Sequence, residues 1–163
     1  NGVQLREKID GAPIEVLCMF NNAYPNRAVP FRVCCDPNSP ISKVSKCYYQ
    51  NLNSAEKKNV QPMYELYQDV ARTKFVFSPI GVGLDCYRTW ESLYLGAFPV
   101  VQTSSLDEMY ENLPVLIVKD WNDVTLDLLN KTYEKFRSRD DYDFRRLYNG
   151  YWHQKFRTHF KTC

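Results

Sequence analysis

Short runs of mainly apolar residues alternate in this chain with segments whose apolar residues recur every three or four positions. The runs predict buried strands, because a strand covered on both faces needs apolar side chains on both. They fall at 14–20, 74–78, 98–101 and 113–118. The periodic segments predict helices at 61–73, 86–96 and 123–137. This alternation favours an α/β domain with a mainly parallel sheet and helices on both faces.

The stretch 74–101 forms the predicted centre, as a strand, a glycine loop, a helix and a second strand. Gly81 and Gly83 let the backbone turn between strand and helix. Asp85 is the predicted helix N-cap, and Gly96 is predicted to end the helix in a left-handed conformation. The helix side expected to face the core carries Cys86, Trp90, Leu93 and Ala97.

The flanking segments are less regular. Residues 21–30 hold two prolines and three asparagines, which predicts a loop at the carboxyl edge of the first strand. Asn26 and Arg27 could bind a ligand there, or belong to a solvated turn. Residues 31–35 fit either a helical turn or a strand, and 46–51 could be a further strand.

Two segments nearer the C-terminus carry their own signals. Ser105 to Glu108 fits a capping box, which predicts a short helix. Residues 142–160 predict a basic helix with an aromatic residue at every fourth position. We expect that stripe to pack on the domain rather than on a membrane or a nucleic acid.

The start of the central helix is a candidate anion site, because its unpaired N–H groups and its dipole both attract negative charge. Arg88 falls in its first turn. Either Arg88 faces a bound anion there or it pairs with Glu91 one turn later. The glycines do not form the dinucleotide-binding fingerprint, because Cys86 stands where the third glycine is needed.

The sequence SPIGVGLDCYRTWESLYLGAFPVV, followed by LPVLIVKDWNDVT, resembles the C-terminal half of exostosin-like glycosyltransferases. The segment EVLCMFNNAYPNRAVPFRV is similar to the opening of the same half. The resemblance implies a GT-B fold, whose C-terminal Rossmann-like domain holds the nucleotide of a sugar donor. It implies no cofactor, with a nucleotide-diphosphate sugar such as a UDP- or GDP-sugar as substrate.

The resemblance also implies roles for single residues. Glu91 matches the carboxylate that hydrogen-bonds the ribose, and Arg88 matches the second arginine of the motif. Gly81 and Gly83 match the loop beside the diphosphate. The nucleotide-sugar site so implied comprises Ser78, Gly81, Val82, Gly83, Arg88, Thr89 and Glu91, with Asn26 and Arg27 as further candidates. The acceptor, a glycan or another hydroxyl compound, and the catalytic base would depend on an N-terminal domain absent from this sequence.

Two departures from the motif weaken that expectation. Ile80 stands where the family has arginine, and Val82 where a polar residue is usual. Isoleucine cannot replace the bidentate contact of a guanidinium with a phosphate. A catalytically silent relative that serves as a binding or interaction domain is therefore the alternative. A flavodoxin-like module that binds a phosphorylated cofactor at the same loop is a third.

The composition and length of the chain limit the number of domains and the classes of protein to which it can belong. With 163 residues, 44% hydrophobic and 25% charged, the chain predicts one folded domain at 14–140 between a linker at 1–13 and the tail helix at 141–163. A net charge of +2 does not indicate nucleic-acid binding. No apolar run is long enough to cross a bilayer. Because the sequence starts at Asn1, we expect a processed chain or an excised domain.

The six cysteines have no zinc-site spacing, and no DxD pair ends a strand, so we predict no metal site. Cys18 and Cys86 fit core thiols. Cys34, Cys35 and Cys47 flank a turn-rich stretch where a disulfide could form in an oxidising compartment. The secretory lumen, such as the Golgi, fits the resemblance in a eukaryote better than the cytoplasm does.

Overall fold

A computed structural model describes residues 14–20, 24–48 and 62–160. The predicted linker at 1–13, the tip of the 21–30 loop, the second half of the possible strand at 46–51, and residues 161–163 with Cys163 lie outside the described residues.

The described residues hold a five-stranded sheet in which every neighbouring pair of strands is parallel. Its strands are β1 (Ile14–Cys18), β2 (Ser45–Cys47), β3 (Thr73–Phe77), β4 (Phe98–Gln102) and β5 (Leu116–Val118). Their order across the sheet is β2-β1-β3-β4-β5. This confirms the predicted Rossmann-like α/β domain.

Five α-helices lie between the strands or follow them in the described residues. They are α1 (Ala28–Cys35), α2 (Met63–Ala71), α3 (Tyr87–Leu95), α4 (Leu126–Arg137) and α5 (Asn149–Phe160). Short 3-10 turns span Pro25–Arg27, Ile41–Val44, Asp107–Tyr110, Trp121–Asp123 and Phe144–Leu147. The segment that fitted either helix or strand is therefore helical. Among the described residues, no helix is both long and apolar enough to traverse a bilayer.

The strand order creates a switch point between β1 and β3. The chain passes from β1 to β2 on one side, and β3, β4 and β5 then extend the sheet on the other. Cys18 lies opposite Phe77 in the register, so β1 and β3 end at the same level. In open parallel sheets, ligands bind in the crevice outside the carboxyl ends of such strands.

Aromatic residues fill the core on one face of the sheet. Phe75 and Phe98 pack on Tyr133 and Phe136 of α4, and the rings of Phe98 and Phe136 lie 5.2 Å apart. Trp121 is buried against Phe77, as predicted for a packing residue. The burial of these apolar and aromatic side chains is the main term that stabilises the fold.

Two disulfides join the elements on the other side of the switch point. Cys18 pairs with Cys34, and Cys35 pairs with Cys47. The predicted disulfide in the turn-rich stretch is confirmed, whereas the prediction of Cys18 as a core thiol is wrong. Cys18 ends β1 beside the end of α1, which brings its sulfur to Cys34. The four sulfur atoms lie within 4.8 Å of one another.

Two local predictions near the C-terminus are wrong. The capping box at Ser105 does not form, because the carboxylate of Asp107 accepts the N–H of Ser104 at 2.9 Å instead. The predicted continuous helix at 142–160 is interrupted at Tyr148, whose backbone is extended. Its aromatic stripe is only partly covered, since Phe156 is 59% exposed.

Candidate functional site

A cavity of about 440 Å³ opens at the switch point, a volume typical of small-molecule sites. Met19 and Phe20 enter it directly after β1, and Ser78 and Pro79 directly after β3. The start of α3 forms one wall. The remaining lining residues are Arg27, Tyr48, Pro62, Met63, Leu66 and Phe77. The cavity therefore lies where the fold class places its ligands.

Helix α3 presents an uncapped N-terminus to this cavity. The helix starts at Tyr87, and the side chain of its N-cap residue makes no capping hydrogen bond. The prediction of Asp85 as N-cap is wrong, because its carboxylate accepts the indole N–H of Trp90 at 3.0 Å. Cys86 is the N-cap residue and lines the cavity half-buried, so it is not the core thiol predicted. The N–H groups and dipole of this terminus favour an anion.

The buried face of α3 is more polar than its apolar spacing predicted. Arg88, Thr89 and Ser92 are buried beside Leu93, whereas Trp90 is only partly covered. The hydroxyl of Ser92 donates to the carbonyl of Arg88 at 2.7 Å. The inward face of the helix thus combines Leu93 of the predicted stripe with polar side chains that the apolar spacing did not predict.

Arg88 is the most unusual side chain of the site. It is 7% exposed, yet it lines the cavity. Its Nη1 donates to the carboxylate of Glu91, and its Nε is buried without a partner. Within the described residues, Glu91 is the only hydrogen-bond partner of this guanidinium. A buried unsatisfied donor costs about 1–3 kcal/mol, so the site carries unused hydrogen-bonding capacity.

Glu91 lies behind Arg88 and does not line the cavity. One carboxylate oxygen accepts from Arg88, and the other accepts the hydroxyl of Tyr67 at 2.9 Å. The hydrogen bond to Glu91, with burial adding to it, raises the pKa of Tyr67 above its usual value. Tyr67 therefore remains a protonated donor that fixes the carboxylate against Arg88.

The glycine loop is held from the β1 side of the cavity. The Nε of Arg27 donates to the carbonyl of Ile80 at 3.0 Å. The amide of Asn26 donates to the carbonyl of Gly81 at 3.3 Å. Neither Gly81 nor Gly83 has a positive φ, which only Gly96 shows among the described glycines, as predicted for that helix end. The loop glycines thus do not serve a left-handed turn.

Ser78 connects the cavity to the interior. Its hydroxyl lies 2.8 Å from that of Thr89, and both are buried. Burial raises the pKa of Tyr110 to about 12, the charge of Asp85 adds to this, and a hydrogen bond with Thr89 partly offsets it. This rear layer is therefore neutral at physiological pH.

A buried carboxylate on α2 holds one of the side chains that line the cavity. Asp69 accepts hydrogen bonds from the hydroxyl of Tyr48 and from the ammonium of Lys46, the latter at 2.7 Å. Burial opposes the ionisation of Asp69, but the hydrogen bonds from Lys46 and Tyr48 outweigh it and lower its pKa. Asp69 consequently stays ionised and fixes Tyr48, which lines the cavity.

The structure brings together only part of the predicted set. Ser78, Arg88 and Arg27 line the cavity. The supporting residues are Thr89 behind Ser78, Glu91 behind Arg88, and Asn26 and Gly81 beside Arg27. Val82, which is 88% exposed, and Gly83 lie on the outer loop and do not line it.

Sequence reasoning missed several lining residues. Met19, Phe20 and Tyr48 follow directly after β1 and β2, so the rule that ligands bind at carboxyl strand ends could have found them. Met63 was predicted to face inward, but it is more than half exposed at the cavity wall.

The chemical character of the cavity follows from these contacts. Two guanidinium groups line it, from Arg27 and Arg88, and among the described residues no carboxylate does. The polar end lies beside the uncapped α3, while Met19, Phe20 and Leu66 provide apolar surface. Such a cavity can bind a molecule with an anionic end and an apolar or planar end.

Comparison with known proteins places the chain among known families. The family model of the RXYLT1 C-terminal domain matches residues 39–163, well over half of the chain. No curated protein matches the chain. The matched segment includes α3 and the glycine loop, whereas β1 and Arg27 precede it.

Proposed function

Because the chain belongs to the RXYLT1 C-terminal domain family, we propose that its cavity binds the nucleotide-diphosphate part of a sugar donor. The family is exostosin-like, which makes this a glycosyltransferase-related domain.

The observation that carries the proposal is the position of Arg88. A buried arginine in the first turn of a helix is unfavourable next to the positive end of the helix dipole. Here it lines a cavity that no carboxylate lines among the described residues, and a single carboxylate accepts from it. A bound diphosphate would remove the conflict between Arg88 and the helix dipole.

The cavity suggests how the donor would lie. The diphosphate would contact the first N–H groups of α3 and the side chain of Arg88, where the charge is positive. The nucleoside would pack on the apolar surface formed by Met19, Phe20 and Leu66. For Glu91, the ribose contact that the resemblance implies would have to share an oxygen that already accepts from Tyr67 or Arg88.

Transfer would need more than this domain offers. We propose that an N-terminal domain supplies the acceptor surface and the catalytic base, and that the acceptor is a glycan or another hydroxyl compound. Since the family is a xylosyltransferase family, a nucleotide-diphosphate xylose is the first complete donor to test. Two disulfides support a place in the secretory lumen, because such bonds persist in oxidising compartments.

Calorimetric titration with UDP, GDP and pyrophosphate tests the proposal. We expect at least one nucleoside diphosphate to bind, and Arg88→Gln to weaken it about tenfold or more, since a hydrogen bond to a charged group contributes about 1.5–3 kcal/mol. Arg145→Gln is the matched control, because it removes the same charge from an exposed arginine paired with Asp143. Unchanged binding in Arg88→Gln, or equal losses in both variants, would contradict the proposal.

A catalytically silent binding domain is the second candidate, favoured by Ile80 and by the exposed Val82 in the glycine loop. The first candidate requires nucleotide binding by this chain, whereas a silent binding or interaction domain does not. In a longer protein that includes the preceding domain, only the first predicts sugar transfer from the donor to an acceptor.

A further inference from the structure

We infer that Asn130, on the outward face of α4, is modified with an N-linked glycan before that helix folds. Asn130, Lys131 and Thr132 form the acceptor sequence Asn-x-Thr, in which x can be any residue except proline. No other asparagine of the 163 residues stands in such a sequence. The inference rests on the secretory location proposed above and goes beyond donor binding.

The first argument is the compartment. N-linked glycans are a modification of secreted proteins, and disulfides form and persist in the same lumen. The described residues hold two disulfides, Cys18–Cys34 and Cys35–Cys47. A chain that acquires these bonds in the lumen meets the glycan-transferring enzyme in the same place.

The second argument is the position of Asn130 on α4. Its side chain is exposed. Its neighbours on that face, Asp127 and Lys131, form an ion pair whose side chains are 72% and 75% exposed. The core contacts of α4 come from the other side of the helix, through Tyr133 and Phe136. A bulky, hydrophilic glycan on Asn130 would therefore project into solvent and leave the core unchanged.

The third argument is the opposite orientation of Thr132, which fixes when the modification takes place. The acceptor sequence is read as a unit, because the asparagine amide and the threonine hydroxyl are both required. Two positions along an α-helix lie about 200° apart around its axis, since each turn takes about 3.6 residues. Thr132 is accordingly buried, at 8% exposure, while Asn130 faces solvent. One active site cannot contact both side chains of the folded helix, so the glycan has to be added to the unfolded chain.

The reaction is a group transfer from a lipid-linked oligosaccharide diphosphate. The amide nitrogen Nδ2 of Asn130 attacks the anomeric carbon of the first sugar, and a C–N bond forms. The bond between that carbon and the diphosphate oxygen breaks, and the lipid diphosphate leaves with the electron pair. The amide loses one proton to a base of the enzyme or to water, and no group is oxidised or reduced.

The glycan would also restrict what can cover α4. No described residue of this helix lines the cavity, so donor binding should not depend on the modification. The outward face of α4 would be closed to a tightly packed partner, including the N-terminal domain proposed above.

The first test is secretion of the protein from eukaryotic cells, followed by treatment with a peptide N-glycosidase. This enzyme removes the glycan and converts the modified asparagine to aspartate, which peptide mass spectrometry locates. We expect aspartate at position 130 and a single increase in gel mobility. Asn130→Gln and Thr132→Ala should lack that increase, whereas Thr132→Ser, which keeps the hydroxyl, should show it. An unmodified Asn130 in the secreted protein would overturn the inference.

The second test addresses the timing, with unmodified protein made in bacteria. The folded chain and the reduced, unfolded chain are each offered to the purified transferase with a lipid-linked donor. We expect the unfolded chain to accept the glycan more than about tenfold faster, because α4 has to open before it can react. Equal rates for the two forms at Asn130 would overturn the inferred order of modification and folding.

Pro40→Thr in the Asn130→Gln background is the matched control for the timing. It creates an acceptor sequence at Asn38, which lies with position 40 in an exposed turn. This variant should accept the glycan in the folded state as well, because no helix holds its two reading positions on opposite sides.

The affinity for UDP separates this inference from the proposed function. Enzymatic removal of the glycan from the secreted protein should change that affinity by less than about twofold, since α4 and the cavity share no lining residue. A glycosylated protein that binds no nucleoside diphosphate would contradict the proposed function and leave this inference standing. A secreted protein that binds UDP but carries no glycan would do the reverse.

Discussion

Arg88 and Arg146 are buried to the same extent, at 7% and 6% exposure, but their surroundings differ. Each has an Nε that is buried without a partner, and each pairs with one carboxylate. Arg88 pairs with Glu91 on the next turn of its own helix, and Arg146 pairs with Glu111, 35 positions earlier in the chain. Arg88 stands at the start of a helix beside a cavity. Arg146 lies under the C-terminal segment, where other parts of the chain cover it.

The guanidinium of Arg146 is used by the protein itself. Its Nη1 donates to the carbonyl of Glu108 at 2.9 Å, and its Nη2 to the carboxylate of Glu111 at 3.0 Å. The indole of Trp152 then donates to the carbonyl of Arg146 at 2.8 Å. These contacts connect three segments of the chain, so Arg146 has a structural role.

The comparison shows what identifies a ligand site. An unpaired Nε occurs in both places, so by itself it does not indicate a bound molecule. Arg88 differs because it meets one carboxylate, lines a cavity and stands next to an uncapped helix start. The combination supports an anion, and each of the following predictions tests one part of it.

The largest expected effect is on stability, from Arg146→Leu. Loss of the guanidinium removes a charged donor from the carbonyls of Glu108 and Met109, which should lower the free energy of unfolding by about 2–4 kcal/mol. Urea denaturation measures it. Pyrophosphate affinity of the folded fraction should stay within twofold, and a selective loss of binding would place Arg146, not Arg88, in the ligand site.

Arg88→Gln should show the opposite pattern. We expect pyrophosphate affinity to fall about tenfold to a hundredfold, because charged hydrogen bonds are lost. The free energy of unfolding should change less than in Arg146→Leu. The carboxylate of Glu91 loses the Arg88 donor in this variant, but it keeps the hydrogen bond from Tyr67. Calorimetry and denaturation on the same preparation give both values. A large loss of stability with unchanged pyrophosphate affinity would mean that Arg88, like Arg146, has a structural role and does not bind the ligand.

Tyr67→Phe tests whether the carboxylate behind Arg88 is positioned. Removing the hydroxyl takes one of the two donors from Glu91, which should weaken pyrophosphate binding by about threefold and stability by about 1 kcal/mol. Tyr64→Phe serves as a control on the same helix, because Tyr64 is exposed and bonds only Gln68 among the described residues. An equal effect in both variants would show that Glu91 needs no positioning.

The smallest expected effect is from Glu111→Gln. The side chain of Glu111 is 68% exposed, and ion pairs with exposed partners contribute about 0–1 kcal/mol. Denaturation should therefore show little change. A loss as large as that in Arg146→Leu would mean that the ion pair, rather than the carbonyl contacts, gives Arg146 its role.

Most of the sheet could be predicted from the sequence because its central strands are built around short apolar runs. Phe75, Val76 and Phe77 leave no polar position, so no other element fits them as well. The glycine that ends α3 could be predicted as well, and the φ of 86° at Gly96 confirms the left-handed conformation. Strands and helix ends of this kind depend on residues that are close in sequence, so hydrophobic periodicity and turn-forming residues are enough to predict them.

The cavity could be predicted only in part, because its geometry depends on contacts between distant residues. Arg27 meets a carbonyl 53 positions later, and Cys18 meets a cysteine 16 positions later. Apolar spacing predicts only Leu93 and Ala97 of the inward face of α3, because this helix also buries Arg88, Thr89 and Ser92. Asp85 has the residue type of a cap, but its carboxylate accepts the indole N–H of Trp90, a contact that spacing alone does not reveal.

The most direct test of the central claim is a map of backbone amide shifts during titration with UDP, recorded by NMR on the ¹⁵N-labelled chain. The account predicts the largest shifts at residues 86–89, which begin α3, with smaller ones in the 80–83 loop and at Arg27. Shifts confined to other surfaces, such as the groove between Met109 and Phe156, would contradict it. So would the absence of any shift at millimolar UDP or GDP.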